Sequence, residues 1–267
     1  MAETSDATDF LHRDLRHVGK RVHRLGLACN YGIDPKGFEA ALDRGLNYVF
    51  WTHTRTGKLK PALREALRSN RDRMVFATGP SMGYFAGSVR RTAERMLSEF
   101  GLDTIDVFQL FWVGTGSAWT EGTVGELLKL KEEGKVRAIG ISIHDRPRAA
   151  RLAEDSPLDL LMLRYNAAHP GAEREVFPHL TTRKPSVVAY TATSWRRLLK
   201  RPSGWDGPVM TAGDCYRFCL SNPHVDLVLC GPKNLAQLDE NLTALARGPL
   251  SEDEARWMRE FGKAVHG

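Results

Sequence analysis

Eight times along this chain an apolar run of strand length is followed by a segment with helical periodicity. No other feature constrains the fold as much. Strict alternation implies parallel strands joined by crossover helices. The strands are read at 24–30 (RLGLACN), 47–51, 74–79, 104–112 (TIDVFQLFW), 136–143, 158–166 (LDLLMLRYN), 186–193 and 225–231. Helices are expected at 36–45, 60–69, 88–101, 125–135, 146–155, 213–222, 234–245 and 251–265. Gly45 and Gly101 end two of them, because glycine takes positive φ without strain. Ser251 and Glu254 suit the opening of the last helix. Eight such units close most simply as a single (β/α)8 barrel, the α/β class whose usual size of about 250 residues suits a chain of 267. An open doubly wound sheet would also alternate, but the first turn, ACNYGIDPKG, lacks a glycine-rich phosphate fingerprint. The reading is one domain over 1–267, with residues 1–17 as a flexible or hairpin-like start.

Composition removes several function classes. The formal net charge is +6, but the basic residues are scattered, without the clustering and stacking aromatics of a nucleic-acid face. A phosphorylated small ligand accounts for that charge more simply. No apolar run approaches the roughly 20 residues of a membrane span, and the polar start MAETSDATDF lacks a signal-peptide core, so a cytoplasmic location is expected. Cys215 and Cys219 sit one helical turn apart, but no second Cys/His pair completes a metal site; with Cys29 and Cys230 they are read as reduced core residues.

In a barrel of this kind chemistry sits at the carboxyl ends of the strands. Three stretches there and around them, LKEEGKVRAIGIS (130–142), LSNPHVDLVLCGPKNLAQLDENLTAL (220–245) and GLNYVF (45–50), resemble the aldo-keto reductases, and the likeness runs from about residue 18 to the last helix. RYNAAHPGAEREVFP (164–178) looks like a distinct subgroup. The resemblance implies NADP(H), or alternatively NAD(H), lying across the barrel mouth, and hydride transfer to a carbonyl of a small-molecule substrate. A carbonyl oxygen needs a proton as hydride reaches carbon, and the resemblance implies a Tyr donor helped by Lys, Asp and His. Yet it sets Phe50 at the Asp position, Arg55 at the Tyr, Gly79 at the Lys and Phe111 at the His.

Phe50, Trp51, Gly79, Phe111 and Trp112 therefore suggest either an apolar, aromatic substrate pocket or a simple filling of the barrel top. On the cofactor side the resemblance implies Ser142 for a carboxamide, with Met162 replacing the usual glutamine, and Tyr190 for stacking on the nicotinamide. It gives Thr191, Thr193, Ser194, Arg196 and Arg197 to the pyrophosphate, and Gln237, Glu240 and Asn241 to the adenosine end; Lys233 and Asn234, after Gly231 on the same cofactor side, stand at a helix start whose free N–H groups favour a phosphate. Substitute proton carriers are His53 and His144, with Arg55 beside the first; Tyr84, Tyr165 and His169 are lesser ones. Glu173 and Glu175 are read as a charged first helical turn. Arg164 either binds an anionic group or, by strand alternation, turns toward the helices. Three functions follow: a divergent NADP(H)-dependent oxidoreductase for a hydrophobic or aromatic compound, a non-catalytic nucleotide-binding or ligand-sensing barrel, and a lyase or isomerase built on His53 and His144.

Overall fold

The computed structural model describes residues 9–52 and 56–266. Among them an antiparallel hairpin, β1 (His12–Leu15) and β2 (Lys20–His23), leads into a closed barrel of eight parallel strands. These are β3 (Leu25–Ala28), β4 (Tyr48–Phe50), β5 (Val75–Thr78), β6 (Ile105–Val113), β7 (Val136–Ile143), β8 (Leu160–Arg164), β9 (Ser186–Tyr190) and β10 (Leu227–Cys230), with β10 pairing back onto β3. The expected (β/α)8 barrel is the architecture found. Helices α1 (Pro35–Asp43), α2 (Lys60–Ser69), α3 (Ala86–Phe100), α4 (Glu121–Glu132) and α5 (Arg146–Asp155) follow the successive strands. Asp34, Thr120 and Asp145 cap three of them by accepting a first-turn N–H. Gly45 and Gly101 adopt φ of 88° and 65°, as their positions predicted.

After β8 the pattern weakens. Helix α6 (Ala172–Glu175) has four residues and passes into a 3₁₀ turn at Phe177–His179. Pro178 explains the stop, since it has no N–H and its ring blocks the preceding turn. Helices α7 (Ala212–Leu220), α8 (Leu235–Leu245) and α9 (Glu252–His266) complete the outer ring.

Strand alternation sorts the apolar side chains into two layers. Val49, Phe76, Phe108, Leu110 and Ile141 lie between strands and helices. Tyr48, Val75, Val107, Ala138, Met162 and Leu227 fill the barrel interior, and Leu15, Val18 and Val22 of the hairpin seal it from below.

The floor carries one device three times. Asp106 accepts the Phe76 N–H (2.9 Å) and Arg71 (2.6 Å), and the Lys20 ammonium lies 2.9 Å away. Asp159 accepts the Ile139 N–H (3.0 Å) and Lys131 (2.5 Å), with Arg183 at 3.2 Å and His17 at 3.4 Å. Asp226 accepts the Val187 N–H (2.8 Å), with Arg13 at 3.5 Å. Each carboxylate ties one strand's backbone to the next, and each meets a side chain from the hairpin: Lys20, His17 or Arg13.

Candidate active site at the barrel mouth

At the opposite end β4 and β6 deliver two phenyl rings. Phe50 and Phe111 face the interior, 8% and 3% exposed, with ring centroids 5.4 Å apart at 65°. Such an edge-to-face pair forms an apolar floor without a proton to give. Between them Gly79 runs against β6 so closely that a Cβ would lie 1.8 Å from the Gln109 carbonyl oxygen. No side chain fits there unless a strand moves.

Trp51 does not join this group. It belongs to the layer between strands and helices, 2% exposed, its ring 5.2 Å from Phe100. The physical reason is alternation: Phe50 points inward, so its neighbour points outward. Trp112 escapes the same rule because its backbone turns to φ 50° as β6 ends, leaving the indole 46% exposed and 6.1 Å from Phe111. The Trp112 backbone N–H donates to the Ser142 hydroxyl at 2.8 Å, which leaves that hydroxyl its own proton to donate. Met162 faces the interior and receives the Gln109 amide N–H at 3.3 Å, while Gln109 Oε1 is buried with no partner among the described residues. Gln109 was missed in the sequence, although a polar residue inside an apolar strand is a visible signal.

The titratable groups of the mouth come from β7, β8 and β9. The Tyr190 hydroxyl lies 3.2 Å from His144 Nδ1 and 3.1 Å from Nε2. Burial pushes the Tyr190 phenol up, partly opposed by the charge of Arg164. Burial, and then Arg164, push the His144 imidazole down. The pair is therefore a protonated phenol beside a neutral imidazole, able to pass a proton either way. Arg164 stands directly beside Tyr190 in the β8–β9 register, two residues beyond the inward pair Met162 and Val188. Alternation thus turns Arg164 to the mouth and Tyr165 to the outer layer. There Tyr165 donates to Glu173 at 2.5 Å, and Glu173 also accepts from Arg259 at 2.8 Å. Glu175 pairs with Arg146 at 3.0 Å.

The segment after β9 is unusual. Thr191, Ser194, Trp195 and Arg196 have φ of 53°, 49°, 52° and 70°, a left-handed backbone that costs a residue with a Cβ roughly 1–2 kcal/mol. Asn166 holds this loop: its amide donates to the Thr191 carbonyl at 2.8 Å, and its oxygen accepts the N–H groups of Ala168 and His169. The Ser194 hydroxyl is buried with no partner among the described residues. Thr193 Oγ1 accepts the Arg196 N–H at 3.3 Å, and Arg196 and Trp195 are exposed. Arg197 departs from expectation, since its guanidinium donates to the Val265 carbonyl near the end of α9 at 2.6 Å. An unsatisfied helix-end carbonyl attracts such a cation.

Across the mouth, α8 opens with Asn234 accepting the Gln237 N–H (3.0 Å) and Gln237 Oε1 accepting the Lys233 N–H (2.9 Å). Lys233, Asn234, Gln237 and Glu240 are exposed, whereas Asn241 is buried. The first-turn N–H groups of an 11-residue helix face an open surface here, a setting that favours a phosphate. Tyr31 packs on Gly231, where a Cβ would lie 2.6 Å from the tyrosine side chain. Elsewhere Tyr84 donates to the Thr115 carbonyl, and His169 contacts Asn166 and the His266 ring. His53 and Arg55 lie outside the described residues.

Comparison with known proteins agrees with this geometry. The solved aldo-keto reductase AKR11C1 from Bacillus halodurans (holo form) superposes with a TM-score of 0.80 at 22% identity, over 95% of this chain and 96% of that one. The glycerol dehydrogenase AKR11B4 from Gluconobacter oxydans gives 0.77 at 17% identity, over 97% and 98%. In sequence, the NADH-specific methylglyoxal reductase of Escherichia coli (strain K12) is 30% identical over 93 residues, 34% of this chain and 28% of that protein. The uncharacterized oxidoreductase YqkF of Bacillus subtilis (strain 168) is 22% identical over 94% of each chain. A profile of the aldo/keto reductase family matches residues 25–201, from the first barrel strand to beyond the left-handed loop, and the chain belongs to that family.

Proposed function

We propose that this protein is a nicotinamide-dependent oxidoreductase that acts on a hydrophobic or aromatic small molecule with an altered set of proton-transfer groups. One observation carries the cofactor part: the Ser194 hydroxyl is buried, lacks a partner among the described residues and sits in a run of left-handed residues. A buried hydroxyl without a hydrogen bond is costly unless a ligand completes it. Thr193, Ser194 and Arg196 would hold the pyrophosphate of NADP(H) or NAD(H), the opening of α8 its adenosine end, and Ser142 and Tyr190 its nicotinamide. When bound, that group supplies hydride.

The chain's own residues do the rest. Phe50 and Phe111 give the reacting end an apolar floor and exclude water. Tyr190 and His144 keep a transferable proton at the Tyr190 oxygen. An iminium carbon, already charged, would need less of that proton than a carbonyl. Between the two dinucleotides, the name of the E. coli relative keeps NADH beside NADPH. In this reading Phe50, Gly79 and Phe111 replace an Asp, a Lys and a His, and the lack of room at Gly79 supports the view that the change is built into the backbone.

Titration with NADPH and with NADH, followed by tryptophan quenching, tests the proposal. Saturable binding that Ser194→Ala weakens about tenfold, the worth of one ligand hydrogen bond of about 1.4 kcal/mol, supports it. No binding of either at millimolar concentration ends it. A second reading, a nucleotide-binding barrel without turnover, is favoured by the close packing of Phe50 on Phe111. Binding without hydride transfer to any ketone, imine or enone would select it.

A further inference from the structure

Arg164 is the cation at the mouth that the fold leaves uncompensated. Several other buried or partly buried arginines are compensated: Arg71 has Asp106 at 2.6 Å, Arg146 has Glu175 at 3.0 Å and Arg217 has Glu254 at 2.7 Å, while Arg24 donates to the backbone carbonyls of Phe10, Leu220, Val225 and Asp226. Among the described residues Arg164 has no such ion pair. What it meets is the Trp195 ring, whose centroid lies 5.8 Å from the guanidinium carbon. Desolvating an arginine without an anion is unfavourable, and a guanidinium edge matches a carboxylate with two parallel hydrogen bonds.

Trp195 makes the arrangement look constructed. It is 60% exposed and holds φ 52°, so neither burial nor backbone preference accounts for it. Backbone strain of this kind persists where surrounding bonds over-determine it, and it gathers at ligand sites. Here the loop is fixed by Asn166, two residues from Arg164 in the RYN sequence. One short motif therefore supplies the cation and anchors the loop whose indole lies over it. Burial, and after it the Arg164 charge, lower both His144 and His169.

We propose that Arg164, backed by Trp195, binds the carboxylate of an aromatic or otherwise planar substrate whose body rests toward Phe50 and Phe111. The proposal rests on the mouth being the substrate site, as in the preceding section, and it names the substrate class.

Benzoate and its neutral counterpart benzamide test it on the intact protein by tryptophan fluorescence and calorimetry. Benzoate is expected to bind saturably and at least tenfold more tightly than benzamide. Arg164→Met should lose at least tenfold in benzoate affinity, and Arg164→Lys should recover part of it. Both variants should keep NADPH affinity within about twofold. Equal binding of benzoate and benzamide to the unaltered chain overturns the proposal without any variant. So does an Arg164→Met protein with unchanged benzoate affinity. A tenfold loss of NADPH affinity with benzoate binding intact also overturns it, by giving Arg164 to a cofactor phosphate. Benzoate binding without NADPH binding would sustain this inference and remove the dinucleotide, while NADPH binding without benzoate binding would do the reverse.

Discussion

The two ends of this barrel are built from the same eight strands and treat polar groups in opposite ways. At the floor, Asp106, Asp159 and Asp226 are each matched by a backbone N–H of the preceding barrel strand and by a side chain of the hairpin, Lys20, His17 or Arg13. At the mouth, Ser194 and Gln109 keep unpartnered oxygens, Arg164 lacks an ion pair among the described residues, and four residues of one loop carry left-handed backbone. Compensated charge makes the floor a stability element, although Arg13 Nε and His17 Nε2 there also lack a hydrogen-bond partner among the described residues. The mouth has bonding left to offer, and that is what a ligand site requires.

The largest test of this contrast is Asp106→Ala. The substitution strands the Phe76 N–H in a buried setting, takes the counter-charge from the Lys20 ammonium, which keeps only the Arg71 and Met74 carbonyls, and removes a partner of Arg71. Burial already pushes Lys20 down against the support of Asp106. Removing one partner of a buried pair costs about 3–5 kcal/mol, and thermal unfolding followed by circular dichroism should show Tm falling by roughly 10 °C. A loss below about 1 kcal/mol would mean that the floor is not the stabilising end.

Much of this floor was legible and went unread. TIDVF, PLDLL and HVDLV each place an aspartate among apolar residues at a strand start, a repeated pattern that sequence alone displays. The alternation of strands and helices was readable for the same reason the fold forms: strand and helix periods are local. Trp51 also followed from a local rule, since neighbours in a strand cannot both face inward. The side of Arg164 was different. It depends on how β8 registers against β9, a non-local fact, and only that register turns Arg164 to the mouth beside Tyr190. The lack of room at Gly79 was hidden too, because the atom that forbids a side chain belongs to Gln109 on another strand.

A smaller effect sharpens the comparison through pH. His23 closes the hairpin at the floor, and its Nδ1 accepts the Leu25 N–H at 3.0 Å. Burial, reinforced by His12, lowers it from 6.5 to about 4. Between those values the unfolded chain holds the proton and the folded chain does not. Its contribution is therefore complete above about pH 6.5 and falls away as the pH drops toward 4. From pH 7 to pH 5 the loss attributable to His23 is about 2 kcal/mol. Urea unfolding at both pH values should show a drop that is reduced by that amount in His23→Gln. An equal drop in both proteins would remove His23 from the floor's stability.

The smallest expected effect has the opposite sign, which makes it the most telling. Trp195→Gly removes the Cβ from a residue at φ 52°. Relief of left-handed strain gains roughly 1–2 kcal/mol, and the greater freedom of glycine in the unfolded chain takes back roughly 0.5–1 kcal/mol. Little packing is lost, because the indole is 60% exposed. The net is a gain of up to about 1.5 kcal/mol, or at most roughly 3–6 °C in Tm, together with weaker benzoate binding as the guanidinium of Arg164 loses its cover. Stability bought at the expense of binding is the signature of a residue kept for function. If Trp195→Gly instead lowers Tm, the loop contributes to the fold as the floor does, and the division of labour between the two ends of the barrel fails at its most specific point.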